Sequence, residues 1–225
     1  MDNFKTIEVR WFYSGTLPDQ VFDWFDTLGE PLAAADTRTD IYLQSSSPDL
    51  GIKLRQGNLE VKYRQAKLGS IAIDNHAIGQ VEQWSKWICI DDLSGLTPEK
   101  ITDKPGWIEV SKIRYQRLYQ VNFSDNIRLI SIPKPTANAA GIEVTQLKLA
   151  DQIYWTIACE YFGDRLELPH QFLSLVQSLM SGFPISNSPP LISGGYPEWL
   201  NIQKSSVSVS TDWWFLNFQL YCRWH

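Results

Sequence analysis

Apolar and polar residues alternate with a period of two through most of the chain, a pattern typical of half-buried β-strands. The pattern covers residues 6–13, 40–43, 51–64, 80–91, 107–123, 127–132 and 141–149. Residues 153–162 predict a further strand, an apolar run with one acid, Glu160, inside it. Helical spacing is found instead in residues 16–28, which open with Thr-Leu-Pro-Asp, and in residues 169–182, which begin with Pro and end with Gly. Residues 66–79 fit neither period well, and we expect a loop there with at most one irregular strand.

The order of these elements predicts the fold class. Several strands follow one another directly, and the strand–helix–strand alternation that builds a parallel sheet is absent. We therefore expect a mainly β (α+β) protein in which an antiparallel sheet closes, or nearly closes, into a β-barrel with flanking helices. A chain of 225 residues is long enough to bury such a core.

The composition changes after residue 182. Residues 183–225 are rich in Pro and Ser, and the stretch from Trp213 to Trp224 holds six aromatic residues. We therefore expect a barrel domain over residues 1–182 and a C-terminal extension over residues 183–225. Because an aromatic cluster of this kind rarely stays exposed on a soluble monomer, we expect it to pack on the barrel or to join two copies in a homodimer.

The segment 51–64 predicts a hairpin with an unusual charge distribution. Its two strands meet at residues 56–58, which tolerate a positive φ. Lys53 and Arg55 share one parity of the first strand, and Lys62 and Arg64 share one parity of the second. Four cations therefore lie on one face. Since like charges on paired strands repel, water, facing carboxylates or a bound anion must offset them.

The charge and the cysteine content of the chain indicate which partners and which compartment to expect. The formal net charge of −5 argues against a bulk nucleic-acid binder, which is usually basic. The three cysteines lie far apart and form no CxxC pair. No signal-peptide pattern and no apolar run long enough to span a bilayer is evident. We therefore expect a cytoplasmic protein with reduced thiols and with no nucleic-acid or membrane partner.

A set of single residues on successive strands, spread over residues 6–180, carries a family resemblance. The segments are Glu8-Val-Arg10, Asp40-Ile-Tyr42, Ile52-Lys-Leu-Arg55, Leu59-Glu-Val-Lys62, Lys112-Ile-Arg114, Ile142-Glu-Val-Thr145 and Cys159-Glu160. In this order they resemble the CYTH superfamily, the triphosphate tunnel metalloenzymes. The resemblance implies an eight-stranded antiparallel barrel open at both ends. Its tunnel would be lined by Arg and Lys that hold a polyphosphate and by Glu that holds Mg²⁺ or Mn²⁺.

The resemblance also assigns candidate site residues. The candidate ligand-binding residues are Arg10, Lys53, Arg55, Lys62, Arg64, Lys112, Arg114 and Arg128. The candidate ligands of a Mg²⁺ or Mn²⁺ cofactor are Glu8, Glu143 and Glu160. Arg and Lys suit phosphate oxygens, and one or two carboxylates commonly complete a Mg²⁺ site on a phosphate.

The chain departs from the family pattern at the acidic positions. The family's first strand reads Glu-x-Glu-x-Lys, whereas this chain has Glu8, Arg10 and Phe12 at those positions. Near the last strand the family has two alternating acids, and here Ala158 replaces one of them. Metal binding is therefore expected to be weaker than anion binding.

We therefore expect a divergent CYTH-like protein that binds a phosphate-rich or other anionic small molecule, such as a polyphosphate or an organic triphosphate. Metal-dependent hydrolysis is expected to be weak or absent. Two alternatives stay open, an active Mg- or Mn-dependent triphosphatase and a non-catalytic protein-interaction module. The bases could also lie on a solvated face, paired with Glu60, Glu82 or Glu109.

Overall fold

The structure is a computed structural model that describes residues 2–29, 34–73, 77–89, 101, 104–123, 127–132, 139–163, 169–184 and 189–204. The strands are β1 (Asp2–Ser14), β2 (Asp36–Leu43), β3 (Leu50–Arg55), β4 (Asn58–Ala72), β5 (Ile78–Cys89), β6 (Trp107–Phe123), β7 (Ile127–Ser131), β8 (Ala139–Leu149), β9 (Gln152–Phe162) and β10 (Ile192–Ser193). The helices are α1 (Asp19–Asp26), α2 (Pro169–Leu179) and α3 (Tyr196–Lys204).

Eight of the strands close into an antiparallel barrel. The order around the ring is β1-β5-β4-β3-β2-β6-β8-β9, and β9 pairs again with β1. Outside the ring, β7 pairs with β6, and β10 pairs with the end of β1. The predicted mainly β fold, a closed antiparallel barrel with flanking helices, is confirmed.

The main apolar core lies on the outer face of the barrel, under α1 and α2. Val9 and Trp11 of β1 point outward and are fully buried against Val21 and Phe25 of α1 and Leu175 of α2. Burying an apolar side chain of this size stabilises a fold by roughly 1.5–3 kcal/mol. The two helices therefore cover the outer face of β1, β8 and β9. The residues of the other parity on these strands face the interior of the barrel. None of the described helices is long and apolar enough to cross a membrane.

The prediction of a loop over residues 66–79 is wrong. β4 continues to Ala72 and pairs with β5 from Ile78 onward. The register shifts between residues 64 and 66 and between residues 67 and 69, so two β-bulges interrupt the alternation. Each extra residue moves the residues that follow it to the opposite face of the strand. The sequence of this strand therefore shows no continuous period of two.

Candidate functional site

The hairpin of β3 and β4 forms as predicted. Gln56 and Gly57 make its two-residue turn, with φ values of 49° and 81°, as a type I′ turn requires. Lys53 lies opposite Glu60, and Lys62 lies opposite Gly51. The cationic face turns into the barrel, where each of its side chains contacts a carboxylate.

The inner wall of the barrel is layered along the strands. The layer nearest to α3 is apolar and consists of Phe12, Tyr42, Val110, Leu147 and Tyr154. The next inward-facing residues along the same strands are Arg10, Asp40, Lys112, Thr145 and Thr156. One step further lie Glu8, Arg38, Arg114, Glu143 and Ala158. On these five strands, the polar inward-facing side chains therefore start one layer away from α3.

Helix α3 fills this end of the barrel. The ring of Trp199 is fully buried and stacks on Phe12, with centroids 5.0 Å apart. The ring of Tyr196 lies 3.7 Å from Lys112 Nζ and 5.0 Å from the guanidinium carbon of Arg10. The turn into α3 requires Gly195, because a Cβ there would lie 2.6 Å from the Trp84 ring. A tunnel open at both ends, as the resemblance implies, is therefore not what the structure shows.

These contacts also concern the predicted C-terminal extension. Its described part, residues 189–204, hydrogen-bonds to β1 through β10 and packs inside the barrel through α3. The aromatic segment from Trp213 to Trp224 lies outside the described residues, and so does the homodimer contact predicted for it.

The charged residues of the interior form two groups. The first, which we name the basic cluster, combines cations with fewer carboxylates on the side of β2, β3 and β6. Its cations are Arg10, Arg38, Lys53, Arg55, Lys86, Lys112 and Arg114, and its carboxylates are Asp36, Asp40, Glu60 and Glu143.

Two carboxylates organise the basic cluster. Glu60 lies 3.2 Å from Lys86, 3.3 Å from Lys53 and 3.7 Å from Arg55. Asp40 lies 2.9 Å from Lys53, and it also contacts Lys112 and Arg38 at 3.0 and 3.1 Å. Burial raises the pKa of Asp40, but its cations outweigh burial and hold that pKa well below its usual value. Each carboxylate thus serves three cations.

Two lysines of the basic cluster have a pKa below the usual lysine value. Burial, together with the charge of Lys112, lowers the pKa of Lys53 from 10.5 to about 8. Burial also lowers the pKa of Lys112 to about 8, and Arg38 and Arg10 add to this effect against the opposing charge of Asp40. Both lysines therefore titrate near physiological pH.

Arg10 belongs to the same cluster. Its Nη1 donates to Glu143 at 2.6 Å, and Arg114 donates to the other oxygen of Glu143 at 3.4 Å. Burial raises the pKa of Glu143, but the two arginines outweigh it and hold the pKa at about 2. Glu143 is therefore a fixed counter-ion for two guanidinium groups.

The second group, the acidic cluster, lies on β9, β1, β5 and β4. Glu8 of β1 lies directly opposite Glu160 on one neighbouring strand and Glu82 on the other. Lys62 forms an ion pair with Glu8 and lies 3.9 Å from Glu160. Arg64 contacts Glu82. The remaining members, at the α3 end, are Asp49, Lys67 and Glu198.

Burial and the closeness of other carboxylates raise the pKa of two members of the acidic cluster. Burial, followed by the charge of Glu8, raises the pKa of Glu82, although Arg64 opposes the shift. Burial also raises the pKa of Glu160, where Lys62 opposes the shift and Glu8 adds to it. The three strands thus carry a row of carboxylates with too few cations.

The predicted metal ligands do not come together. Glu143 lies in the basic cluster between two arginines, whereas Glu8 and Glu160 share Lys62 in the acidic cluster. Arg10 and Ala158, which stand at the two positions where the resemblance implies carboxylates, are direct partners across β1 and β9. Among the described residues, no group of three or more His, Cys, Asp or Glu could hold a metal ion. The donors present do not fit a resident divalent cation.

The structure adds residues that the sequence reading did not assign to the site, namely Asp40, Glu82, Lys86 and Tyr196. Parity held a signal for Glu82 and Lys86, which alternate with apolar residues on one strand as the hairpin cations do. Of the predicted ligand-binding residues, Arg128 lies in β7, and its side chain is outside the described part of the chain. The other seven all face the interior.

A separate cavity lies on the outer surface between β4 and α2. It has a volume of about 340 Å³ and is lined by residues that include Ile71, Val176, Met180 and Phe183. None of the ion-paired residues of the interior lines it. The cavity therefore contributes nothing to the charged site.

Comparison with protein-family models and with curated proteins gives no match for this chain. Among solved structures, the PH1819 protein from Pyrococcus horikoshii OT3 is similar, with 12% sequence identity and a TM-score of 0.46. The alignment covers 89% of this chain and 99% of that chain. A likeness of this size establishes neither a shared family nor a shared function.

Proposed function

We propose that this protein is a divergent CYTH-like cytoplasmic protein whose barrel interior binds an anionic, phosphate-rich small molecule. A polyphosphate or an organic triphosphate has the right chemistry, because its oxygens accept the charge-assisted hydrogen bonds that clustered Lys and Arg donate. Metal-dependent hydrolysis is weak or absent in this proposal.

The observation that carries the proposal is a difference in exposure between five interior cations and the carboxylates that they contact, whereas the other interior cations, Arg10, Arg38, Arg64 and Lys112, are at most 8% exposed. The side chains of the cations that line the accessible interior keep between 18% and 29% of their surface exposed, namely Lys53, Arg55, Lys62, Lys86 and Arg114. Most of the carboxylates that they contact keep 10% or less, namely Glu8, Asp40, Glu60 and Glu143. A molecule entering the barrel therefore meets cations first, with Glu160 and Asp36 as the exposed exceptions.

A local surplus of charge supports the same proposal. Glu60 is shared by three cations, so it cannot neutralise all of them. A low-dielectric wall strengthens the attraction of such a surplus for an anion. Glu143 is held by two arginines and Glu8 is paired with Lys62, which supports the second half of the proposal, since the charge of a bound phosphate is then offset by cationic side chains.

The test is calorimetric titration with sodium tripolyphosphate in the presence of EDTA. We expect saturable binding to the unmodified protein. In Lys86→Gln the affinity falls about tenfold, the loss of one charge-assisted hydrogen bond. The matched control is Lys148→Gln, which removes an exposed lysine on the outer parity of β8 and leaves the affinity unchanged. No binding to the unmodified protein, or equal losses in both variants, would refute the proposal.

A further inference from the structure

Burial of the inward-facing residues decreases along β6 and β9 with distance from α3. In the layers at and next to α3, the side chains of Phe12, Lys112, Thr145 and Thr156 are at most 3% exposed. Further along the same strands, the exposure of charged side chains rises to 21% at Arg114 and Glu160. In the described part of the chain, access to the interior is therefore from the end away from α3. The barrel has a floor, formed by α3, and a mouth.

Besides Trp199 Nε1 of the floor itself, three hydrogen-bonding atoms on the strands next to the floor are buried without a partner among the described residues. They are Arg10 Nε, Arg114 Nε and Thr145 Oγ1. The three groups are neighbours, because Thr145 lies opposite Arg114 on β6 and opposite Thr156 on β9, and Arg10 reaches both Thr156 and Glu143. A buried polar atom without a partner is costly. These atoms are therefore placed to meet a ligand that brings acceptor oxygens.

We infer that the barrel is a blind pocket that recognises the end of a linear polyanion. The terminal oxyanion lies deepest, accepting hydrogen bonds from Arg10 Nε, Arg114 Nε and Thr145 Oγ1 beside Tyr196, while the rest of the ligand extends past Lys62, Lys53 and Lys86 toward the mouth. This inference rests on the proposed function, and it adds that the ligand must have a free end and cannot thread through the barrel.

The stoichiometry of binding to linear polyphosphate tests the inference on the unmodified protein. Polyphosphate preparations of short, intermediate and long defined length are titrated with protein by calorimetry and by sedimentation velocity. A blind pocket takes at most one protein molecule at each chain end, so the number of bound proteins stays at two once the chain is long enough to separate its ends. A number of bound proteins that grows in proportion to chain length would overturn the inference, because it requires binding along the chain.

A competition experiment uses a ligand that has no chain end. Cyclic trimetaphosphate carries the same phosphate groups as tripolyphosphate but lacks a terminal one. We expect it to compete with tripolyphosphate at least about tenfold less well, because the charge-assisted bonds to the terminal oxyanion are lost. Equal competition by the cyclic compound would overturn the inference.

The floor donor is tested by Thr145→Val, which keeps the shape of the side chain and removes the hydroxyl. We expect the dissociation constant for tripolyphosphate to rise about fivefold, with the end stoichiometry on long chains retained. Thr37→Val, on the exposed outer face of β2, is the matched control and leaves the constant unchanged. An unchanged constant in Thr145→Val would remove Thr145 from the inferred pocket. If tripolyphosphate does not bind the unmodified protein at all, the proposed function itself fails, which is a different result from binding without end preference.

Discussion

The basic cluster and the acidic cluster both lie inside one ring of strands, where they share β1, β4 and β5, but they differ in how buried charge is balanced. On the basic side, seven cations share four carboxylates. On the acidic side, five carboxylates share Lys62, Arg64 and Lys67. The interior as a whole is close to balanced, so its capacity to hold an anion comes from segregation of charge and not from net charge.

The difference shows where each cluster is vulnerable. When one cation is removed, Asp40 and Glu60 each keep two others, and Glu143 and Asp36 each keep one. Glu8 depends on Lys62 alone among the ion pairs of the described residues. The acidic cluster should therefore decide the stability of the barrel, and the basic cluster should decide its ligand. The following predictions test this division, from the largest expected effect to the smallest.

Removing the cation of the acidic cluster should have the largest effect. In Lys62→Met, the buried carboxylate of Glu8 loses its ion pair beside Glu160 and Glu82. We expect the free energy of unfolding, measured by urea denaturation at pH 7, to fall by about 3 kcal/mol, the cost of leaving one buried charge unpaired. Lys148→Met is the control and should change it little.

A double variant distinguishes lost charge pairing from lost packing. Lys62→Met combined with Glu8→Gln removes both charges of the pair and should recover about half of the lost stability. No recovery in the double variant would show that Lys62 stabilises the barrel through its hydrocarbon stem alone.

A change of pH should weaken the basic cluster selectively. Lys53 and Lys112 have a pKa of about 8, so both lose charge between pH 7 and pH 9 while exposed lysines keep theirs. We expect sulfate, whose own charge is constant in this range, to bind about tenfold more weakly at pH 9, the loss of one charge-assisted hydrogen bond. The measurement is the sulfate-dependent shift of the melting temperature at each pH.

The same titration acts on the fold with the opposite sign. Because the folded pKa of each lysine lies below its unfolded value of 10.5, the unfolded chain binds more protons between pH 8 and pH 10.5. The contribution of these two lysines to stability therefore rises with pH in that window, and a loss of sulfate binding cannot come from their destabilising the barrel. A Lys53→Arg variant should retain more sulfate binding at pH 9, and an identical pH profile would contradict the assignment.

Removing a carboxylate from the acidic cluster should improve anion binding modestly. Glu160→Gln removes a partly exposed negative charge and leaves Lys62 with Glu8 as its partner. We expect an affinity for tripolyphosphate about threefold higher, the size of an interaction between partly solvated charges. The control Asp151→Asn lies in the turn after β8 and should change nothing. A weaker affinity in Glu160→Gln would mean that this carboxylate helps to hold the ligand.

Divalent metal should have the smallest effect. Since Glu8 and Glu160 share a lysine and Glu143 is held by two arginines, we expect Mn²⁺ alone to leave the melting temperature unchanged. Turnover of tripolyphosphate, thiamine triphosphate and ATP with Mg²⁺ or Mn²⁺ should stay well below the ordinary enzyme range of roughly 1–1,000 s⁻¹. Turnover of several per second on any of them would show a working triphosphatase.

Many residues of the inner face could be grouped from the local sequence pattern. Parity along single strands placed Lys53, Arg55, Lys62 and Arg64 on one face, and the family resemblance added Lys112 and Arg114 on the next cationic strand. Side-chain direction in a strand depends only on position within that strand. That the cations of each strand share a face could therefore be predicted without knowing how the strands pair, whereas the inward direction of that face was predicted from the resemblance.

The pairing of charges could not be predicted in the same way. Arg10 meets Glu143 across 133 positions of sequence, and Arg64 meets Glu198 across 134. Such contacts form only when the ring of strands closes, so the local periodicity of the sequence cannot predict them. The row of Glu160, Glu8 and Glu82 likewise depends on the register of three strands that are distant in sequence.

The position of α3 was missed for another reason. Residues 196–204 have a short apolar face in a region rich in Pro, Ser and Gly, so composition favours a loop or an extension there. The helix is stabilised by its site, where Trp199 and Leu200 are buried against the inner wall. Tertiary packing thus decides the structure of a segment whose own propensity is weak.

The placement of α3 and β10 has a consequence for the time course of folding. Of the described strands, β1 is synthesised first, yet it pairs with β9 and then with Ile192 and Ser193, close to the end of the described chain. A ribosome-bound nascent chain that has reached only α2 already holds the eight ring strands, but its inner wall still lacks the helix that covers Phe12 and Tyr42. Contacts of such long sequence separation form slowly, and an unfinished apolar surface attracts other chains. The interval between synthesis of α2 and synthesis of residue 204 is therefore the period in which this barrel is most exposed to aggregation.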